Sequence, residues 1–175
     1  MVKKKEDLKV AAKEYVQTLT ELVDEIRAAQ LRAMSAASKE LVRLYWFIGK
    51  TVSKRQEESS WGDKFINNLA RDIQNSFPQI KGFSRRNIFR MRAFYRAYAN
   101  CATAVTQIED IPVFSIPWGH NIVLVESVKD PEARLWYAQK TLQDGWSRST
   151  LEEHIKKSSC ERAGKAVTNF TLTLP

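Results

Sequence analysis

The sequence predicts an all-α protein, and two observations support that prediction. Glycine and proline are scarce, with 6 and 5 residues in a chain of 175, and neither occurs between Met1 and Ile48. That stretch is rich in Ala, Leu, Glu, Lys and Arg, which are strong helix formers. A chain of this length supports one ordinary domain with a hydrophobic core. We therefore predict a single helical domain at residues 14–163, between a basic tail at 1–13 and a linker at 164–175.

The first element is a long helical arm at residues 14–58, ended by a turn cluster at 59–62. Its apolar residues recur at spacings of three and four, which keeps them on one helix face; they are Tyr15, Leu19, Leu22, Ile26, Ala29, Ala33, Ala37, Leu41, Leu44 and Ile48. The heptad-like spacing favours self-association into a homodimer. Equally, this face could cover the core of its own domain, and both interpretations stay open.

Two helix-turn-helix corners follow, at residues 63–99 and 131–161. Each contains the pattern glycine, aromatic, serine, arginine, in GFSRRN at 82–87 and GWSRST at 145–150. The serine is predicted to cap a helix. The aromatic residue before it is predicted to form a hydrophobic staple with the residue four positions after the serine. The glycine is predicted to adopt a left-handed backbone conformation. Corners of this kind occur in many helical proteins, and the second one, whose last helix mixes both charges, is predicted to be structural.

Local signals place the remaining boundaries. In the first corner, a helix at 63–76 stops before Pro78, and a second helix begins at Ser84 and runs to Ala99. Small and β-branched residues with two prolines predict a loop or short extended piece at 101–117. Short helices are predicted at 122–128, at 132–143 after the capping pair Asp130-Pro131, and at 148–161.

The net charge of +8 is concentrated in one patch. No acidic residue lies between Ile73 and Ile108, whereas six basic residues do, and five of them are arginines on the first corner's second helix, opposite its apolar face. Such a face repels itself and favours an anionic partner, and arginine suits phosphate and guanine contacts. The predicted nucleic-acid contacts are Lys81, Ser84, Arg85, Arg86, Asn87, Phe89, Arg90, Arg92 and Arg96, with Trp118, His120 and Arg148 as secondary candidates. The alternative is a solvated basic face with Phe89 packed against the long first helix.

No catalytic constellation is recognisable. The two histidines, His120 and His154, lack metal-ligand spacing, and Cys101 and Cys160 lie far apart, so both are interpreted as reduced thiols. Phosphate-loop and dinucleotide motifs are absent, and no acidic cluster of the kind found in metal-dependent nucleases is present. We therefore predict no catalytic residue, metal or cofactor in this chain. No run of about eighteen apolar residues and no signal peptide occurs, which predicts a cytoplasmic protein without a membrane partner.

Several motifs in order resemble the N-terminal helical module of the YhcG-like bacterial proteins; they are LVRLYWFIGK (41–50), SWGDKFINNLARDIQNSFP (60–78), GFSRRNIFRMRAFY (82–95), IPWGHN (116–121), RLWYAQ (134–139), GWSRSTLEEHI (145–155) and TNF (168–170). In that family this module, a domain of unknown function, precedes a nuclease domain of the PD-(D/E)XK type. The resemblance implies a DNA-acting protein whose cleaving domain, with any divalent metal, would follow residue 175.

Taken together, the residues and the resemblance predict a DNA-targeting module, with RNA as an alternative ligand. An oligomerisation or protein-interaction module without nucleic-acid contact is the rival interpretation. An enzyme complete within these residues would need an acidic or histidine-based site that the sequence does not contain.

Overall fold

A computed structural model of the protein describes residues 2–58, 63–104 and 111–163, with side chains at 13–57, 64–99 and 111–163. These residues form helices and no strand, which confirms the all-α prediction. They fall into two compact units, one up to Ala37 and one from Ser38 onward. The first helix, α1 (Val2–Glu58), spans the boundary and also covers the residues predicted as a basic tail.

In the first unit, charged side chains of α1 form ion pairs along the helix, and its large apolar side chains are exposed to solvent. Arg32 donates to Glu25 at 2.6 Å, and Arg27 lies 3.6 Å from Asp24. Such exposed pairs each contribute less than about 1 kcal/mol to stability. The exposed large apolar side chains of this unit are Tyr15, Val16, Leu19, Leu22, Ile26, Leu31 and Met34.

Within its described residues, the second unit contains the rest of α1, further α-helices and a short 3₁₀ turn. In chain order these are α2 (Asp63–Ser76), α3 (Arg85–Ala104), the 3₁₀ turn (Pro112–Phe114), α4 (Trp118–Ser127), α5 (Pro131–Asp144) and α6 (Arg148–Lys156). The bounds of α2 agree with the prediction, and α1 ends at Glu58 as predicted. Asp130 caps α5 by accepting from the backbone N–H of Ala133 at 2.7 Å, with Pro131 as the first helical residue.

Three boundaries differ from the prediction. Helix α3 continues to Ala104, so the predicted loop begins as helix. Helix α4 begins four residues early because the backbone N–H of His120 already bonds to the carbonyl of Pro117, at 3.0 Å. Helix α6 ends at Lys156, where a turn with Ser158 at a φ of 50° separates it from a last helical turn at 159–163.

The two predicted corners differ in the length of their connections. Eight residues, 77–84, join α2 to α3, whereas three residues, 145–147, join α5 to α6. Helix-turn-helix motifs usually have connections of three or four residues, often with a glycine. The second corner therefore has the usual connection length, and the first corner has a longer one.

Two apolar clusters hold the second unit together. The last turns of α1 meet α2 and α3 in the cluster of Tyr45, Val52, Ile66, Ala70, Phe83, Ile88 and Met91. The larger cluster joins α1 and α3 to the later elements, through Trp46, Phe94, Phe114, Leu124, Tyr137 and Leu151 among others. Helices α1 and α3 approach so closely that a Cβ on Gly49 would lie 2.1 Å from the carbonyl oxygen of Met91. Only glycine fits at that crossing.

Candidate nucleic-acid interface

The start of α3 is built as the first motif predicts. The Ser84 hydroxyl accepts from the backbone N–H of Asn87 at 3.3 Å, and Phe83 and Ile88 are buried in the same apolar cluster. Gly82 has a φ of 113°, which side chains rarely tolerate, and a Cβ there would meet the Tyr45 hydroxyl. Ser84 therefore acts as a helix cap, and its hydroxyl is engaged within the protein.

The side chain of Asn87 connects three segments. Its amide nitrogen donates to the carbonyl of Gly82, and its amide oxygen accepts from the indole N–H of Trp118 at 2.9 Å. Burial raises the pKa of Tyr45 above its ordinary value, and a hydrogen bond with Asn87 partly opposes that rise. Asn87 and Trp118, both predicted to contact nucleic acid, thus use their polar groups to fix the start of α3 against the start of α4.

Phe89 lies beneath two arginines. The guanidinium of Arg92 is 4.8 Å from the centre of the Phe89 ring, and that of Arg85 is 5.3 Å away. Arg92 also donates to the side-chain oxygen of Gln56 on α1. Phe89 is half-buried against the smaller apolar cluster, so it is less available for base stacking than an exposed aromatic residue would be. The ring instead orients two cations.

The arginine face has acidic partners after all. Arg90 donates to Glu126 on α4 at 2.8 Å, while Arg96 donates to Ser53 at 2.9 Å and lies 3.9 Å from Glu57 on α1. The expectation that this face repels itself unopposed was wrong, because α1 and α4 bring carboxylates to both of its sides. Glu126 is 36 positions from Arg90 in the sequence and Glu57 is 39 positions from Arg96, so no local pattern reveals them.

Two basic residues of the patch remain available to a ligand. Arg86, in the first turn of α3, and Lys81, just before it, are exposed. Neither forms a hydrogen bond or ion pair with the residues whose side chains the structure describes. A cation at the start of a helix also lies beside free backbone N–H groups, and together they favour an anion such as phosphate.

The second motif begins α6 in the same way. The Ser147 hydroxyl accepts from the backbone N–H of Thr150 at 3.2 Å, and Gly145 has a φ of 64°. His120 on α4 bonds through Nε2 to the carbonyl of Trp146 at 2.9 Å, so Nε2 carries the proton. Arg148 donates to Glu152 at 3.1 Å and is exposed. His120 is therefore a connecting residue, and Arg148 remains at the surface.

These bonds place three helix starts side by side. Asn87 and Trp118 join the start of α3 to that of α4, and His120 with the Trp146 carbonyl joins α4 to the start of α6. Each helix start carries a partial positive charge. We call this region the helix-start surface. It unites both repeated motifs around the first turn of α4.

Across 13–57, 64–99 and 111–163, no three His, Cys, Asp or Glu side chains cluster closely enough to hold a metal ion. Among the helices that the structure describes, none is long and apolar enough to cross a membrane. Cys160 is a free thiol whose pKa is raised, chiefly by burial and then by Asp130 and Glu161; the side chain of Cys101 and the predicted linker at 164–175 lie outside the described residues.

Sequence reasoning missed two residues that shape this region. Glu126 and Gln56 hold arginines of α3. Neither has a sequence signal, because their roles depend on how the helices pack.

Comparison with known proteins gives a family and one relative. The family model described as the DUF1016 N-terminal domain matches residues 21–162. The Escherichia coli K12 protein named "Putative nuclease YhcG" is 25% identical over 168 residues, which covers 81% of this chain and 44% of the relative. The chain thus spans less than half the length of that curated relative. No solved structure matches.

Proposed function

Because the chain belongs to the DUF1016 N-terminal domain family, we propose that it is the nucleic-acid-binding module of a nuclease, with DNA as its ligand. The observation that supports this most is the exposed pair of Lys81 and Arg86 beside the start of α3. They stand in a segment without acidic residues, at the helix-start surface. Backbone N–H groups and arginines together suit phosphates.

The geometry favours phosphate contacts over extensive base reading. Arg90 and Arg96 are partly neutralised by carboxylates, and Asn87 and Trp118 have used their polar groups inside the protein. Phosphate contacts position a protein on nucleic acid without reading its sequence. We therefore propose that this module positions the strand. In this proposal, cleavage and any metal that it needs belong to the part of the relative's length that this chain does not span. We propose the cytoplasm as the place where the nuclease acts.

The test is fluorescence anisotropy with labelled duplex, branched and single-stranded DNA over a salt series. We expect binding in the micromolar range or tighter that weakens with salt. Changing Arg85 and Arg86 together to Ala should make the slope of log K against log salt shallower by about one unit for each lost phosphate contact. For each lost base contact, the binding free energy should weaken by about 1–3 kcal/mol.

A matched control is available at the end of α6. Lys156 and Lys157 are also adjacent exposed cations, so changing both to Ala alters the net charge by the same amount. They lie about 12 Å along α6 from its start, whereas Arg85 and Arg86 lie at the start of α3. The control should keep most of the salt slope. An Arg85/Arg86 variant that binds like the wild-type chain would exclude α3 from the interface, and absence of binding at low salt would refute the proposed function.

A second candidate function is self-association through α1, favoured by the exposure of its apolar stripe. Leu19, Leu22 and Ile26 are 46%, 57% and 57% exposed and follow heptad spacing. A second copy of this chain would supply the same stripe in return. Between them, two such helices could cover side chains that are costly to leave in water.

Analytical ultracentrifugation at low and high salt tests this candidate. An apolar dimer should be indifferent to salt and should dissociate when Leu22 is changed to Glu. Leu31 is equally exposed, at 68%, but lies outside the stripe, so Leu31→Glu is the control and should leave the dimer intact. A monomer at all concentrations would refute self-association.

A further inference from the structure

The long connection between α2 and α3 exposes two large apolar side chains to solvent. Phe77 is 54% exposed and Ile80 is 52% exposed, whereas Phe83 in the same connection is buried. Single exposed apolar residues need no explanation, whereas apolar residues grouped in a patch mark interaction sites. Whether Phe77 and Ile80 form such a group depends on how the connection is folded.

A hydrogen-bonded turn brings these two residues together. The backbone N–H of Ile80 donates to the carbonyl of Phe77 at 3.0 Å, which closes a β-turn with Pro78 in its second position. The Cα atoms of the first and fourth residues of a β-turn lie within about 7 Å of each other, and proline in the second position fixes its backbone. Phe77 and Ile80 are therefore neighbours on an ordered turn, and we call the pair the apolar tip.

Both ends of this turn are anchored to helices. On one side, the backbone N–H of Phe77 donates to the carbonyl of Ile73 at 2.9 Å and so continues the hydrogen bonds of α2. On the other side, the Gly82 carbonyl accepts from the Asn87 amide, and Phe83 is buried in the smaller apolar cluster. A binding element that is ordered beforehand loses little conformational entropy when it binds. The apolar tip thus has the rigidity that insertion into a partner requires.

The charges beside the apolar tip favour DNA as that partner. Lys81 follows the tip directly and Arg86 lies at the start of α3, and both are exposed. The acidic residue nearest to the tip in the sequence, Asp72, is paired with Arg71 at 3.2 Å. In DNA, stacked bases lie between two rows of phosphates, which matches an apolar tip next to cations. Proteins that kink DNA insert Phe or Ile side chains between base steps in this way.

We propose that the apolar tip inserts between two neighbouring bases of the bound DNA and opens their stack, while Lys81 and Arg86 contact phosphates beside the opened step. The inference rests on the proposed function, because the phosphate contacts bring the tip to the bases. It assigns to the module a preference for DNA with an interrupted stack over an intact duplex, since opening an intact step costs free energy.

The experiment compares two labelled duplexes of one sequence by anisotropy, one intact and one with a central nick that retains its phosphate. The wild-type chain should bind the nicked duplex about 5- to 50-fold more tightly, because the stack opens there at a lower cost. A 2-aminopurine base placed beside the nick fluoresces more strongly when it is unstacked. Its fluorescence should therefore rise as the chain binds.

A double variant of the apolar tip tests the location. Phe77→Ala with Ile80→Ala removes exposed side chains, so the fold should persist, and a thermal melt verifies it. The double variant should lose the preference for the nick and the rise in fluorescence, while it keeps the salt slope of the phosphate contacts. Leu142→Ala, at a position of α5 that is 47% exposed, is the matched control and should keep all three.

An anionic membrane surface is the other ligand that places charges beside an apolar layer. Sedimentation with vesicles of phosphatidylcholine and phosphatidylserine tests it, and the wild-type chain should bind them no more than the double variant does. Vesicle binding that is lost in a double variant whose DNA binding is unchanged would assign the apolar tip to a membrane and overturn the proposal.

The DNA outcomes separate insertion from the proposed function. Salt-dependent binding that is equal for the two duplexes would overturn the insertion proposal and leave the proposed function standing. A preference for the nick that survives in the folded double variant would also overturn it. Failure to bind either duplex at low salt would overturn both proposals.

Discussion

Changing Glu126 to Gln should strengthen nucleic-acid binding, although it removes an ion pair. Arg90 donates to Glu126 at 2.8 Å, and their side chains are 27% and 51% exposed. The carboxylate therefore competes with phosphate for the same guanidinium. Glutamine keeps the size and an acceptor oxygen but lacks the charge, so Arg90 becomes free to exchange partners.

The magnitude follows from the salt dependence of phosphate contacts. One additional contact steepens the slope of log K against log salt by about 0.9, which corresponds to about a fivefold gain in affinity at roughly 0.15 M salt. The loss of the partly exposed pair should lower the free energy of unfolding by less than about 1 kcal/mol. The gain in affinity should thus appear in a protein that is still folded.

Anisotropy over a salt series measures both quantities, and Glu153→Gln is the control. Glu153 pairs with Lys157 at 2.6 Å on α6, so its replacement changes the net charge equally at a different place. If Glu126→Gln binds no more tightly than Glu153→Gln, the effect is one of total charge. If it binds more weakly than the wild-type chain, Arg90 does not exchange Glu126 for phosphate, and the reasoning fails.

Three further predictions concern stability and are checked by urea unfolding. Gly49→Ala should lower the free energy of unfolding by about 1–3 kcal/mol or more, because the new Cβ meets the backbone of Met91. Gly119→Ala is the control: the nearest atom to its new Cβ is 3.9 Å away, so it should be neutral or stabilising by up to about 1 kcal/mol. Equal effects of the two substitutions would contradict the close crossing of α1 and α3. Asn87→Ala should lower it by about 1–3 kcal/mol through the loss of bonds to Gly82 and Trp118, and an unchanged midpoint would contradict this role. Burial raises the pKa of Tyr45 above its ordinary 10.0, so the stability that this group contributes is complete below pH 10 and is lost as pH rises through the raised pKa. The Tyr45→Phe variant should therefore lose less stability than the wild-type chain between about pH 9 and about pH 11. An identical loss in both proteins would refute this prediction.

The features that sequence reasoning predicted correctly are those encoded within a few residues. Capping by Ser84, Ser147 and Asp130 depends on a side chain and a backbone N–H three positions later, so the sequence contains all that is needed. The positive φ of Gly82 and Gly145 follows from the same local logic. This explains why the starts of α3, α5 and α6 agree with prediction within a residue.

The features that it missed depend on contacts between distant segments. The last helix breaks at Ser158, although neither glycine nor proline marks the break. Helix α3 continues past Asn100 through small residues that form helices and loops alike. The partners of the α3 arginines come from α1 and α4, so the charge state of the candidate interface could not be derived from the segment that carries it.

The shared anchoring of both motifs on α4 also affects how the protein opens. Trp118 and His120 lie two residues apart, yet their bonds reach Asn87 and Trp146, which are 31 and 26 positions away in the chain. Proteins open locally in cooperative units. Because these bonds join the beginnings of α3, α4 and α6, we expect the three to open as one unit, so that fraying of one exposes the backbone of the other two. Hydrogen exchange at these three helix starts would then report a single opening event rather than three independent ones.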